Sequence, residues 1–366
     1  MFEQRNLMTG EKEKLHPALK LTCTLLSLVL IGFIMVYARS ILIPVFFAIL
    51  ASFLLLPLVR WLERHRIPRA IAALVAVLLL LGGLGSVLYL LSIQLISFSE
   101  MFPVIEQQIQ ANILELQNWV THRFHINGTQ QVGYLNKASG AILSSVSDFA
   151  QIVLVLFSGA ALSVVFVFIY TYFMLFYRDI LRDFLVNVLS KNLHSTVIDI
   201  TFQSRTVIYN YIFGLLLEML IVATVNCLAL MAFHIQYYML IGIVAAILNI
   251  IPFLGFFVAV IIAFIITLST GGIGDAVTAV LVMWVIHLLD ANVLMPRIVG
   301  SRVKMNALVT ILAVLCGNMM WGVAGMFLFI PLVAIMKVVF ERVEGWEAWA
   351  ILIGEREKKK IPKELP

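Results

Sequence analysis

The strongest constraint on this chain is a series of apolar runs that are longer than the core of a globular domain requires. The runs at 70–97 and 207–233 exceed the about 20 residues that a helix needs to cross about 30 Å of hydrocarbon. Of the 366 residues, 62% are hydrophobic and 12% are charged, which is about half the charged share of a typical globular protein. Because helices satisfy their own backbone hydrogen bonds in lipid, the sequence predicts an all-α, polytopic membrane protein.

Proline and glycine interrupt the apolar runs at two places between 237 and 340. The interruptions are NIIPFLG at 249–255 and WGVAGMFLFIP at 321–331, and the polar passage HLLDANVLMPRIVG at 287–300 lies between them. Broken helices at membrane depth are tolerated only where protein buries them or where they line a wet cavity, and paired interruptions indicate the binding site of a transporter. The sequence therefore predicts two broken, re-entrant helical hairpins. The residues expected to form the breaks are Pro252, Gly255, Pro296, Gly322, Gly325 and Pro331.

Basic residues give the predicted orientation, since Lys and Arg concentrate in the cytoplasmic loops of membrane proteins. The loop RWLERHRIPR at 60–69 and the lysines at 358–360 are therefore placed in the cytoplasm, together with the N-terminus. Six crossings and two re-entrant hairpins give about eight membrane segments, whereas two full helix pairs would give ten crossings. The predicted divisions are a cytoplasmic tail at 1–18, N-terminal transmembrane helices at 19–98, an extracytoplasmic amphipathic segment at 99–149, a transmembrane helix at 150–177, a cytoplasmic amphipathic helix at 178–206, a C-terminal transport core at 207–341 and a cytoplasmic tail at 342–366.

Polar residues inside the apolar runs are the candidates for a transport path, because an ionisable group costs about 2.5–3.5 kcal/mol in the middle of a membrane helix. Glu218 is the deepest of them, and Asn226 follows eight residues later on the same helical face. Asn249 directly precedes the first proline break, where freed carbonyl groups would be available to a cation or a polar solute. A purely structural role, in hydrogen bonding or in neutralising buried charge, stays open for each. The polar passage at 287–300 adds four further candidates for the path, His287, Asp290, Asn292 and Arg297.

The sequence contains no pattern that predicts an enzyme. It lacks a serine nucleophile elbow, an HExxH pair, a Walker A loop and a paired-aspartate motif. We therefore expect no catalytic residue, no cofactor and no metal site, and ion-coupled or passive movement rather than direct use of ATP. The net charge of +5 comes from loops and termini rather than from a basic face with interleaved aromatic residues, so we expect no binding to nucleic acid.

Four motifs, read in order over 205–340, resemble the autoinducer-2 exporter family of bacterial membrane proteins, also grouped as PerM-like permeases. They are GLLLEMLIV, NIIPFLG, DANVLMPRIVGSRV and GVAGMFLFIPLVAIMKV, and IPVFFAILASFLLLPLV followed by RHRIPR agrees in layout. The resemblance implies a secondary transporter or permease that moves a small polar solute across the bacterial cytoplasmic (inner) membrane. Three positions depart from the family pattern: Glu218 where Gln is frequent, Phe256 and Phe257 where a small residue or Pro is common, and Asn306-Ala307 where His-Pro is frequent.

Two other functions fit the same residues. The intramembrane acids also suit a monovalent cation (Na⁺ or Li⁺)/proton antiporter, which some members of the family resemble. Alternatively, the polar groups would only join helices or protomers in a membrane scaffold that transports nothing. In each case the expected partners are the lipid bilayer and further copies of the chain, since Gly82, Gly83 and Gly85 would let helices approach closely.

Overall fold

The computed structural model describes residues 17–100, 162–188, 193–252, 254–300 and 305–354. The predicted amphipathic segment at 99–149 lies outside these residues except for its first two positions, as do most of the N-terminal tail and the last lysines. The helices are α1 (Pro17–Tyr37), α2 (Arg39–Arg64), α3 (Arg69–Glu100), α4 (Leu162–Phe176), α5 (Arg178–Asn187), α6 (His194–Ala232), α7 (Tyr238–Leu248), α8 (Gly255–Gly271), α9 (Ile273–Leu289), α10 (Ala307–Phe340) and α11 (Glu347–Ile353).

Five helical segments among the described residues are long and apolar enough to cross a membrane. They are α2, α6, α10, the part of α3 up to Ile93, and α9 extended to Ile298 through two π-helical turns. A sixth is added if α4 and α5, which meet at a bend of 71°, form one span. The predicted all-α membrane class is confirmed, whereas the number of about eight segments stays a prediction.

The chain divides into two compact units, Met1–Leu42 and Ile43–Pro366. In the first unit, the large apolar side chains of α1 are mostly exposed, which suits a helix surrounded by acyl chains. The second unit contains two clusters of buried side chains. One joins α2, α3 and α4 through Val59, Ala73 and Leu175, and the other joins α6, α7, α8 and α9 through residues such as Ile241 and Met283. Helix α6 runs without a break through the boundary predicted at 206.

The first break lies between α7 and α8. Helix α7 has 11 residues and α8 has 17, so at 1.5 Å per residue each is shorter than about 30 Å of hydrocarbon. Between them the chain turns at 249–254, where Leu254 N–H donates to the carbonyl of Pro252. A Cβ on Gly255 would collide with the carbonyl oxygen of Leu248, so only glycine permits this close turn.

The second break reverses α10 at Gly322, which has φ 63° and ψ −144°, a conformation that essentially only glycine adopts. Gly317 and Gly325 would be about 12 Å apart in a continuous helix. Instead their backbones touch, since a Cβ on either glycine would collide with the carbonyl oxygen of the other. The rings of Trp321 and Phe329 meet 5.4 Å apart across the reversal. Helix α10 is therefore two arms, 307–321 and 323–340, folded against each other.

The start of the first arm and the end of the second arm of α10 lie close together, at the end of the hairpin opposite Gly322. The Asn306 side chain accepts a hydrogen bond from Val309 N–H and donates to the carbonyl of Leu352, while Met305 pairs with Gly354. A Cβ on Gly354 would lie 3.4 Å from Cε of Lys337, which is in the last turn of the second arm. Residues near α11 thus connect the start of α10 to its end.

Candidate functional site

The centre of the site is Glu218, in the middle of the apolar helix α6. Only 5% of this residue is exposed, so its carboxyl group is removed from both water and lipid. Asn226 lies two turns further along α6 and is also buried, but its amide donates to the Val222 carbonyl of its own helix at 2.8 Å. Asn226 thus borders the site without contacting Glu218.

Asn249 connects Glu218 to a second buried acid. It directly follows α7, at the first break, and its Nδ2 group donates to Oδ2 of Asp290 at 3.0 Å. The same Nδ2 group also faces Oε1 of Glu218 at 3.5 Å. Three residues that are 31 and 41 positions apart therefore meet at one point, and we call them the polar trio.

The geometry of α9 explains how Asp290 reaches this point. Asp290 begins the first π-helical turn and is 3% exposed. Because a π-helical turn adds a residue to the helical repeat, it changes the direction of the side chains that follow, and such turns are frequent at functional sites. Asn292 is accordingly exposed and donates to the Leu288 carbonyl at 2.7 Å. Arg297 is also exposed, and neither residue lines the cavity beside the polar trio.

The hydrogen bonding of the polar trio is incomplete. A pair of carboxylates presents four oxygen atoms, and the amide of Asn249 has only two N–H donors. Oε2 of Glu218 and Oδ1 of Asp290 are buried, and no N–H group of the described residues reaches them. The two carboxyl groups lie close enough to hydrogen-bond each other when one of them carries a proton. Because buried polar atoms are nearly always paired in folded proteins, these two oxygens identify the trio as a place where a proton, a cation or a polar ligand would be stabilised.

A small cavity borders the polar trio. Its volume is about 20 Å³, which is room for one water-sized species. The ring of His287 stacks on Phe256 with centroids 3.8 Å apart, and both rings line the cavity together with Asn249 and Asp290. The stack holds the imidazole one turn before Asp290, so this cavity has an aromatic wall as well as an acidic one.

The structure separates the predicted break residues into two groups. Pro252 and Gly255 lie at the turn beside the polar trio, whereas Gly322 and Gly325 form the reversal of α10. Pro296 begins the second π-helical turn, and the chain stays helical through Pro331. Two residues with clear roles were not predicted. Phe256 had no polar signal, and Gly317 was hidden in an uninterrupted apolar stretch.

Within the described part of the chain, no group of three or more His, Cys, Asp or Glu residues is arranged to hold a metal ion. The polar trio contains two acids and one amide, so its chemistry is that of hydrogen bonding, proton binding or coordination of a monovalent cation by oxygen atoms. Electrostatically, the two buried acids favour a ligand that brings positive charge or N–H and O–H donors.

Comparisons with known proteins agree with this architecture. The family model for AI-2E family transporters matches residues 25–345. The putative transport protein YrrI of Bacillus subtilis (strain 168) is 27% identical over 316 residues, which cover 82% of this chain and 86% of the relative. The putative transport protein YhhT of Escherichia coli (strain K12) is 24% identical over 355 residues, covering 96% and 98%. The AI-2 transport protein TqsA of the same strain is 23% identical over 325 residues, covering 88% and 92%.

Proposed function

Since the chain belongs to the AI-2E transporter family, a family of multi-pass membrane permeases, we propose that it moves a small polar solute through the polar trio. The proposed path passes Glu218, Asn249 and Asp290, with His287 and Phe256 at its wall. Asn226 borders the path, while Asn292 and Arg297 are exposed and lie outside the cavity. The proposal places the protein in the bacterial cytoplasmic (inner) membrane with both termini in the cytoplasm.

One observation carries this proposal: two buried carboxyl groups share a single amide and retain two oxygens that no N–H donor of the described residues reaches. Burying an acid inside a membrane is costly, and leaving its oxygens unpaired adds a further cost of about 1–3 kcal/mol for each. A structural role would be served better by a complete hydrogen-bond network. An incomplete one suits a site that is filled and emptied.

The size of the cavity indicates what transport requires. With room for one water-sized species, the conformation described is closed to larger molecules. We expect passage of a solute to require separation of the 249–254 turn from α9, because these two elements contribute Asn249 and Asp290. Helix α8, on one side of the turn, begins at Gly255 and ends at Gly271, and glycine positions are where the backbone absorbs such movement most readily.

The solute class follows from the groups that face the cavity. Carboxylate and amide oxygens accept hydrogen bonds, so they favour a solute with several hydroxyl or ammonium donors. One relative is named an AI-2 transport protein, and autoinducer-2 export is therefore the first activity to test. The departure at Glu218, where the family often has Gln, adds negative charge to this chain's path.

A second function, monovalent cation/proton antiport, is favoured by the same small cavity. A dehydrated sodium or lithium ion is no larger than the single water-sized species for which there is room. Two acids that meet at one point bind either a shared proton or a cation, and exchange of one for the other is the elementary step of antiport. This alternative requires a flux that depends on sodium and on pH, which solute export alone does not.

The experiment is flux into proteoliposomes with wild type, Glu218→Gln, Asp290→Asn and the matched control Asp275→Asn. Asp275 is an exposed acid in the first turn of the same helix, α9. Autoinducer-2 efflux that is lost in both site variants and kept in the control supports the exporter. Sodium-dependent proton release with the same variant pattern supports the antiporter. Equal flux in all four proteins would reject the polar trio as the path, and a folded protein without either flux would favour the scaffold.

We also propose that the protein forms a homo-oligomer. In α3, no atom of the described chain lies within 4 Å of a Cβ built on Gly82, Gly83 or Gly85. This face would let another helix approach closely, and the mass of the purified complex in detergent tests it.

A further inference from the structure

A cluster of charged residues connects three helices at the end of α2. Arg178, in the first turn of α5, donates to Oε2 of Glu63 at 2.7 Å. Arg69, at the start of α3, pairs with Asp179 at 2.7 Å and lies 3.5 Å from Oε1 of Glu63. These ion pairs hold the α2–α3 loop against the bend between α4 and α5.

The cluster contains more positive than negative charge. Arg205 lies on α6, which packs against α5, and the positive charges of Arg60 and Arg178 act on its guanidinium group. In the part of the chain that the structure describes, neither Arg60 nor Arg205 pairs with a carboxylate. Four guanidinium groups, including that of Arg69, are therefore accompanied by only two carboxylates, those of Glu63 and Asp179, and only Arg69 and Arg178 pair with them.

Two buried atoms of this cluster, Nη1 of Arg178 and Oε1 of Glu63, lack a hydrogen-bond partner among the described residues. Oε1 of Glu63 still lies 3.5 Å from Nε of Arg69, and Nη2 of Arg178 is bonded to Oε2 of Glu63, so Nη1 of Arg178 is the donor that is left without an acceptor. Leaving a buried hydrogen-bond donor unpaired lowers the stability of the fold, and the loss of free energy is greater when the donor belongs to a charged group. The excess positive charge and the unpaired donor both call for an anionic acceptor with several oxygen atoms.

The surroundings place this acceptor at the surface of the membrane. Helix α5 leaves α4 at 71° and buries no side chain, while Ile180 and Phe184 are exposed by 64% and 61%. Such a helix suits the boundary between headgroups and acyl chains. Trp61 and Tyr177, both exposed, flank the cluster and are residue types that concentrate at this boundary.

We propose that Arg60, Arg178 and Arg205 bind a phosphate group, supplied by the headgroup of an anionic lipid. Arginine is suited to this role because its planar group donates two parallel hydrogen bonds to phosphate oxygens. The bound phosphate would join the end of α2, the α4–α5 bend and α6. A free phosphate ion offers the same chemistry, and the experiment separates the two sources.

The experiment titrates the purified full-length protein with phosphatidylglycerol, phosphatidylcholine or inorganic phosphate, and native mass spectrometry counts the bound molecules. The variant Arg60→Gln/Arg205→Gln removes two guanidinium groups but keeps the Arg178–Glu63 pair. The control Arg64→Gln/Arg182→Gln removes the same charge from exposed arginines near the cluster. Thermal unfolding of each variant shows that it is folded before binding is compared.

We expect phosphatidylglycerol to bind wild type and control alike, and to bind the site variant about tenfold or more weakly. Phosphatidylcholine should show no such difference, because its headgroup is neutral overall. Competition by inorganic phosphate at similar concentrations would overturn the lipid as the source and assign the site to the free ion. Equal loss in both double variants, or no preference of wild type for phosphatidylglycerol, would overturn the site itself.

Discussion

The two breaks of the transport core are made by similar residues but have different surroundings. At the first break, the turn at 249–254 brings Asn249 between two buried acids, Glu218 and Asp290. At the second, the reversal at Gly322 is lined by glycine backbone and aromatic rings, with Phe46 of α2 lying 5.4 Å from Trp321. A proline–glycine break therefore predicts where the chain bends, and the residues of neighbouring helices decide whether the bend carries polar chemistry.

This comparison assigns different roles to the breaks. The reversal of α10 is a packing device, because close backbone contact is the main interaction between its arms. We propose that the turn between α7 and α8 is a binding device, because its contacts are polar and incomplete. Variants at the second break should thus change stability, and variants at the first should change flux.

The largest effect is expected from Gly317→Leu. The added side chain would overlap the carbonyl of Gly325 and force the arms of α10 apart, at a cost of about 3 kcal/mol or more. Thermal unfolding in detergent measures the loss. Gly32→Leu in α1 is the control, because nothing among the described residues lies within 4 Å of a Cβ there. Equal stability of the two variants would show that the arms are not held by the glycine contact.

Asn249→Leu should lower flux much more than it lowers stability. It keeps the branched shape and the number of heavy atoms but removes the donor shared by Glu218 and Asp290, and hydrogen bonds to charged groups contribute about 1.5–3 kcal/mol. We expect flux in proteoliposomes to fall by about tenfold or more. The exposed Asn292, whose amide bonds only its own helix, gives the control Asn292→Leu. Wild-type flux in Asn249→Leu would remove the first break from the transport path.

Asn306→Ala should lower stability without changing flux per folded molecule. The substitution removes the cap that accepts from Val309 N–H and the tie to the Leu352 carbonyl, and loss of a helix cap costs about 0.5–2 kcal/mol. Unfolding and flux are measured on the same preparation. A specific loss of flux at unchanged stability would contradict the purely structural role of the second hairpin.

The smallest effect is expected from Phe256→Leu, which removes the stack on His287. Aromatic pairs contribute about 0.5–1.5 kcal/mol beyond burial, so the flux should change by a few fold. Phe257→Leu is the matched control, since Phe257 is 56% exposed. The two variants are compared through their apparent affinity for the transported species. Identical affinities would show that the aromatic wall does not shape the site.

Much of this architecture was predictable from the sequence. The length of the apolar runs predicts a membrane protein, and this class is confirmed. Pro252, Gly255 and Gly322 stand out because proline and glycine disturb the backbone hydrogen bonding that a helix in lipid needs. Glu218 and Asp290 stand out because an acid in an apolar run needs a reason. Each of these five residues is recognisable on its own, because its type is unusual in an apolar run.

The remaining features depend on contacts between distant residues or on local helix geometry. The meeting of Asn249 with Glu218 and Asp290 joins positions 31 and 41 residues apart, which no local pattern reveals. The π-helical turn beyond Leu289 shifts the helical repeat. A prediction that assumes a regular α-helix therefore gives the wrong direction for the side chains of Asn292 and Arg297. Gly317 was hidden because a glycine in an apolar helix is ordinary until its partner is known.

Carbodiimide labelling of the membrane-embedded protein, followed by peptide mass spectrometry, tests the binding role of the polar trio most directly. This reagent modifies acids in apolar surroundings, and Asp275 serves as the exposed internal reference. We predict labelling of Glu218 or Asp290 that slows when sodium or autoinducer-2, whichever the wild type transports, is present. Labelling of both acids at a rate that the transported species leaves unchanged would contradict the account.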